Sequence, residues 1–159
     1  MQLTRYTDYS LRVLIYLSLN RERSSTISEI AEYYKISRNH LVKVVHNLSL
    51  KKYINSSRGK GGGLKLAHNP GDIIVGSVVR DTEPNFHIAE CFNEVHDDCS
   101  VESICQLKNI LSTAASNFLN TLDGFTVADI IADGPQAEAA VELDPTLKRL
   151  LEGTTEKTA

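Results

Sequence analysis

Cys91, Cys99 and Cys105 stand within fifteen residues, and the chain has no other cysteine. Their run, CFNEVHDDCSVESIC, interleaves the thiols with acids and with His96. The spacing is C-x7-C-x5-C, too wide for the paired C-x2–4-C knuckles of structural zinc. In a reducing cytosol an odd cysteine count argues against disulfides and raises metal or redox chemistry in rank. A four-iron cluster wants one terminal ligand per iron, and three cysteines supply three. The fourth position is then open to His87, His96, Asp97, Asp98 or a residue elsewhere in the fold. A cluster short of one thiolate is labile, which suits a sensor better than a structural staple. Nucleophilic catalysis fits poorly, because neighbouring acids raise thiol pKa values and no base or substrate pocket is legible. The plain alternative is three inert thiols in an ordinary loop.

The elements that must position these thiols divide the chain by charge. From Met1 to Pro70 there are 12 Lys and Arg against 4 Asp and Glu; from Gly71 onward there are 5 against 16. A basic half joined to an acidic half predicts that the first half meets a polyanion.

In the basic half TDYSLRVLIYLSLN predicts a core helix capped at Thr7, with Leu11, Leu14, Ile15, Tyr16 and Leu19 near helical spacing. SEIAEYY predicts a second helix capped at Ser28 with Glu29 in its first turn. Ser37 then caps a third, RNHLVKVVHNLSLKK. Leu41, Val44, Val45 and Leu48 give the third helix an apolar face. Arg38, Asn39, His40 and Lys43 are left on its exposed N-terminal turns. Two helices joined by a short turn form a helix-turn-helix, whose second helix reads base edges with such side chains. YINSSRGKGGGLKLA then alternates like a hairpin, with Arg58 and Lys60 in a glycine-rich tip. That tip reads as a wing, able to lay the two cations against phosphates or into a minor groove. It lacks the spacing of a phosphate-binding P-loop, and Leu64 stands where a dinucleotide fingerprint needs Gly or Ala. Duplex DNA is the expected partner.

In the acidic half Asp72 is expected to cap a helix that Pro84 ends. Residues 84–106 read as a long loop around the cysteines, and long loops in compact domains tend to be functional. Leu107, Ile110, Leu111, Ala114, Ala115, Phe118, Leu119 and Leu122 then form one unbroken apolar stripe. It can pack on the winged domain, or serve in part as the seam of a two-fold dimer that reads paired half-sites. Gly124 is expected to stop that helix, and Thr126 with Asp129 to open a short one. The tail beyond Gly134 is acidic and alanine-rich, with a short helix expected around Leu143 to Leu151.

The expected fold is mainly α with a small β hairpin. A winged helix-turn-helix domain spans 1–83, a cluster-binding loop 84–106, and a dimerisation helix with a short follower 107–133; an acidic tail spans 134–159. Arg5, Asp8 and Arg12 interrupt the apolar pattern at the start, unlike a signal peptide, and no segment reaches the length of a membrane span. The expected address is the cytoplasm.

The runs TDYSLRVLIYL, SRNHLVKVV, RGKGGGLKLA and VVRDTEPNF, with ECF and the following LK helix, resemble the bacterial winged-helix iron–sulfur repressors. That family includes the NsrR, IscR and RirA types. The resemblance covers about residues 1–132. TDYSLR and SRNHLVK are most similar to the nitric-oxide-responsive NsrR type, and the cysteine spacing is also compatible with the iron-responsive RirA type. IscR-type chains place a histidine three residues after the last cysteine, where this chain has Lys108. The resemblance implies a non-enzymatic homodimer that represses from a palindromic operator. It further implies that Cys91, Cys99 and Cys105 hold the cluster, a four-iron form ranking ahead of a two-iron one. By the same resemblance the fourth ligand is Asp8 of the other subunit, and nitric oxide is the signal that releases genes for its detoxification. The rival outside this class is a cluster-free adaptor using the 107–122 stripe to bind a partner helix.

Overall fold

The computed structural model describes residues 2–57, 59, 61–93, 99–101 and 104–131. Helix α1 (Arg5–Leu19) starts one turn before the expected cap. The cap is Thr4, whose hydroxyl accepts from the Thr7 amide at 3.3 Å, while Thr7 is buried inside the helix. Thr4 is anchored from outside the helix. Its amide and hydroxyl donate to Glu83 at 2.7 and 3.0 Å, a partner 79 residues away that local pattern does not reveal.

Helix α2 (Ile27–Tyr34) is likewise capped upstream of Ser28, by Thr26 in a reciprocal box with Glu29. Thr-x-x-Glu satisfies two end amides at once, which Ser28 cannot do. The turn to α3 passes through Lys35 in the left-handed conformation, at φ 54°. Helix α3 (Arg38–Leu50) begins after Ser37 as expected, although the Ser37 hydroxyl makes no capping bond. Leu41, Val44, Val45 and Leu48 are buried.

Strands β1 (Ile54–Ser57) and β2 (Gly63–Leu66) form the expected antiparallel hairpin, with Ile54 opposite Leu66 and Ser57 opposite Gly63. The segment before α2 adds a rung. Ser25 and Leu64 exchange backbone bonds of 3.1 and 2.7 Å. Gly63 permits that approach; at φ +155° a Cβ there would sit 2.8 Å from the Ser25 carbonyl oxygen.

Asp72 does not cap a helix. It closes a 3-10 turn, Pro70–Asp72, and helix α4 (Val75–Thr82) starts after Ile74. The delay has a tertiary cause. Ile73 and Ile74 are extended because they pair with the segment before α6: the Val75 amide donates to Phe125 and the Val127 amide to Ile73, both at 2.9 Å. Helix α4 ends at Thr82, two residues before Pro84.

Helices α5 (Leu107–Asp123) and α6 (Val127–Ile130) complete the chain as described. Gly124 ends α5, and the Thr126 amide and hydroxyl both donate to Asp129 at 2.7 and 2.6 Å. One core joins Leu14, Ile30, Leu41, Leu48, Ile54, Ile73, Val78 and Val127. Helix α6 thus returns the chain to the winged domain. Helix α5 leans on α4 where Gly76 leaves room for Asp123, and Arg80 clasps Asp123 through two bonds of 2.5 and 2.7 Å. The tail helix expected around Leu143 to Leu151 lies outside the described residues.

Candidate nucleic-acid interface and thiol loop

The buried face of α3 fixes what its other face presents. With Leu41, Val44, Val45 and Leu48 in the core, Ser37, Arg38, Asn39, His40 and Lys43 are all exposed at its N-terminal end. None of Arg38, Asn39 and His40 is held by an ion pair or side-chain hydrogen bond among the described residues. They are donors and acceptors left for solvent or a ligand. The hairpin stands beside this face; Arg58 and Lys60 of its tip lie outside the described residues.

Helix α1 docks on the same end of α3. Tyr9 stacks on His40 with ring centroids 6.4 Å apart, and the Tyr6 hydroxyl donates to the Lys43 carbonyl at 3.3 Å. Asp8 lies between these two tyrosines in sequence. Its carboxylate accepts from Arg12 Nε at 3.0 Å, and that bond raises the Arg12 guanidinium above its ordinary pKa. The Arg12 guanidinium also sits over the Tyr34 ring, 5.6 Å from its centroid. The Asp8 side chain is nearly half exposed, 45%, so a second chain can reach it. Arg12 was legible as an i,i+4 partner of Asp8; the tyrosine contacts were not, because they join segments more than thirty residues apart.

The thiol loop is organised differently. Cys91 is half-buried in a 3-10 turn, Glu90–Phe92; Cys99 is exposed; Cys105 is half-buried just before α5. All three are free thiols. His87 Nδ1 is 2.8 Å from Asn93 Oδ1 and its ring stacks on Phe92, so it is engaged locally. His96, Asp97 and Asp98 lie outside the described residues. Among the described residues no three His, Cys, Asp or Glu side chains converge as a metal site within one chain. The donor set nonetheless suits an iron–sulfur group in kind, with three free thiols on the loop.

The fold and this interface define a winged helix-turn-helix DNA-binding transcriptional regulator. The chain belongs to the Rrf2 family, described as "Iron-dependent Transcriptional regulator", which matches residues 3–133. It is 46% identical over 132 residues to the HTH-type transcriptional regulator NsrR of Bacillus subtilis, covering 82% of this chain and 90% of that one. It is 39% identical over 146 residues to NsrR of Halalkalibacterium halodurans, covering 91% of this chain and 100% of that one. Among solved structures, T. potens IscR superposes with a TM-score of 0.66 at 24% identity, over 92% of this chain and 96% of that one. CymR, the global cysteine regulator of B. subtilis, gives 0.62 at 23% over 84% and 99%. These neighbours share the fold. The relatives are regulators, not enzymes, and the family points to an iron–sulfur cofactor. No helix among the described residues is long and apolar enough to cross a membrane.

Proposed function

We propose that this protein is a cytoplasmic, homodimeric repressor whose grip on a palindromic operator is set by an iron–sulfur cluster and released by nitric oxide. The observation that carries this reading is the pairing of a free polar end on α3 with three free thiols in a chain 46% identical to an NsrR regulator. Cys91, Cys99 and Cys105 would hold the cluster, four-iron ahead of two-iron, with Asp8 of the partner copy as the fourth ligand. When bound, the group supplies iron able to react with nitric oxide. The chain's own part is transmission. Asp8 shares α1 with Tyr6 and Tyr9, which touch Lys43 and His40 of the reading helix. A change of partner at Asp8 would then act on the helix that touches the DNA end of α3, and the reading requires α3 to take a second placement when that partner is lost. Ser37, Arg38, Asn39, His40 and Lys43 read or flank the major groove, and Arg58 and Lys60 contact the backbone or minor groove. Two copies of α5, joined along the stripe, bring the two readers together.

Anaerobic purification with a visible spectrum and iron and sulfide analysis tests the cofactor. Cys99→Ala should lose the iron while keeping the fold, since Cys99 is exposed. A colourless, zinc-only protein ends the cluster reading. Separate titrations with nitric oxide and a ferrous chelator, following operator binding, test the signal. The family description "Iron-dependent" favours a second reading, an iron-responsive regulator. Release by chelator alone would select it.

A further inference from the structure

Two consecutive residues of α4 grip different neighbours. Asp81 accepts from Lys51 Nζ and from the Tyr53 hydroxyl, both at 2.8 Å, at the junction of α3 and the hairpin. Arg80 donates to both carboxylate oxygens of Asp123, at 2.5 and 2.7 Å, at the last residue of α5. These are the ion pairs among the described residues that join distant elements, and both end on α4. Both are partly exposed, so they contribute little to stability. A bidentate guanidinium–carboxylate pair has a second effect, because its planar fork fixes direction.

Direction at this joint has leverage. Backbone bonds from Val75 to Phe125 and from Val127 to Ile73, both 2.9 Å, latch the segment that follows α5. They fix where α5 ends and leave its tilt to the contacts with α4. Along its 17 residues α5 buries none, so few contacts set that tilt. Gly76 leaves the room the clasp needs, since a Cβ there would lie 2.0 Å from Asp123 Oδ1. A tilt of about 8° at one end of a helix roughly 25 Å long moves its other end by about 3.5 Å, one base-pair step of duplex DNA. We propose that Arg80 and Asp123, with Asp81 as the anchor toward α3 and the hairpin, make α4 a tie bar that sets which spacing of two operator half-sites the dimer accepts. The inference rests on the homodimeric operator reading and assigns spacing specificity to residues away from the reading end of α3. Arg80, Asp81 and Asp123 are positioning residues in this role: they set the relation between the two reading helices and leave each helix as it is.

The test uses full-length protein purified anaerobically and a duplex selected from random sequence on the wild-type protein. Affinity is measured on that duplex, on versions with the centre lengthened or shortened by one base pair, and on a single half-site. Arg80 and Asp123 are exposed, so Arg80→Gln and Asp123→Asn should melt near wild type. Wild type should bind best at one spacing. Arg80→Gln should flatten that preference by about fivefold, the scale of two exposed ion pairs per dimer. Its affinity for the single half-site should stay within about twofold of wild type, because the reading end of α3 is untouched. Asp123→Asn should flatten the preference equally, and the double variant no further, since one clasp is broken once. An unchanged spacing preference in a dimeric Arg80→Gln, a loss as large on the single half-site, or effects that multiply in the double variant overturns the tie bar. A wild type that sediments as a monomer and binds all spacings alike overturns the homodimer reading itself.

Discussion

Helices α1 and α5 carry apolar stripes of similar strength and end in opposite circumstances. The 15-residue α1 buries Thr7, Ser10, Val13, Leu14, Tyr16, Leu17 and Ser18. The 17-residue α5 buries no residue at all; Leu107 and Ile110 are 52% and 62% exposed. A stripe specifies a face that needs covering and leaves its partner open. For α1 the cover is the chain's own α3, α4, α6 and hairpin. For α5 one end leans on α4, and the rest is uncovered by the described residues.

The largest test of that contrast compares Leu48→Ala with Ile110→Asp. Truncating Leu48 should cost about 2–5 kcal/mol in urea unfolding, the usual range for a sealed core leucine. Ile110→Asp should leave the winged half within about 0.5 kcal/mol of wild type, as for an exposed site, yet move the protein from dimer to monomer in sedimentation. If Ile110→Asp unfolds the winged half as Leu48→Ala does, α5 belongs to the core and the contrast fails.

Gly76→Ala probes a place where α5 meets α4 closely. A Cβ there would lie 2.0 Å from the Asp123 carboxylate, so the side chain must move and the Arg80 clasp with it. Overpacking of this kind costs about 1–3 kcal/mol. Amide exchange should rise at the C-terminal turn of α5 before it rises in α1.

Arg38→Ala should reduce discrimination between selected and random duplex by about 1–3 kcal/mol, the worth of a bidentate base contact. An equal loss on both duplexes would reassign Arg38 to the backbone.

The smallest effect is in acid. Lys51 Nζ and the Tyr53 hydroxyl each lie 2.8 Å from the Asp81 carboxylate, and they hold its carboxyl below the ordinary range, Lys51 first. A depressed folded pKa contributes stability above the unfolded value of about 3.9, and that stability is lost as pH falls through the folded value. Asp81→Asn should remove that part of the acid-unfolding curve and cost under about 1 kcal/mol near neutrality.

Much of the fold was legible. Helical spacing in 41–48 and 107–122 named the faces, and the alternation around the glycine tip named the hairpin. Helix starts were less legible: Thr4, Thr26 and Ile74 stand where Thr7, Ser28 and Asp72 were expected. Thr26 was decided by a local box that outcompetes a lone serine. Thr4 and Ile74 were decided by partners 79 and 52 residues away, Glu83 and Thr126, which no local window contains.

The candidate site divides along the same line. The sequence by itself determined the donor set: three thiols too widely spaced for zinc knuckles, a basic half, and polar residues on the first turns of a helix whose other face is apolar. These follow from residue type and period, which are local. Only the tertiary structure decided that Tyr6 and Tyr9 bring α1 onto the end of α3, that Ser25 pairs with the hairpin, and that α5 is left largely uncovered. Each depends on which surfaces meet once the core closes. Burial is a property of the packed whole, and a stripe read along one helix cannot say what will come to cover it.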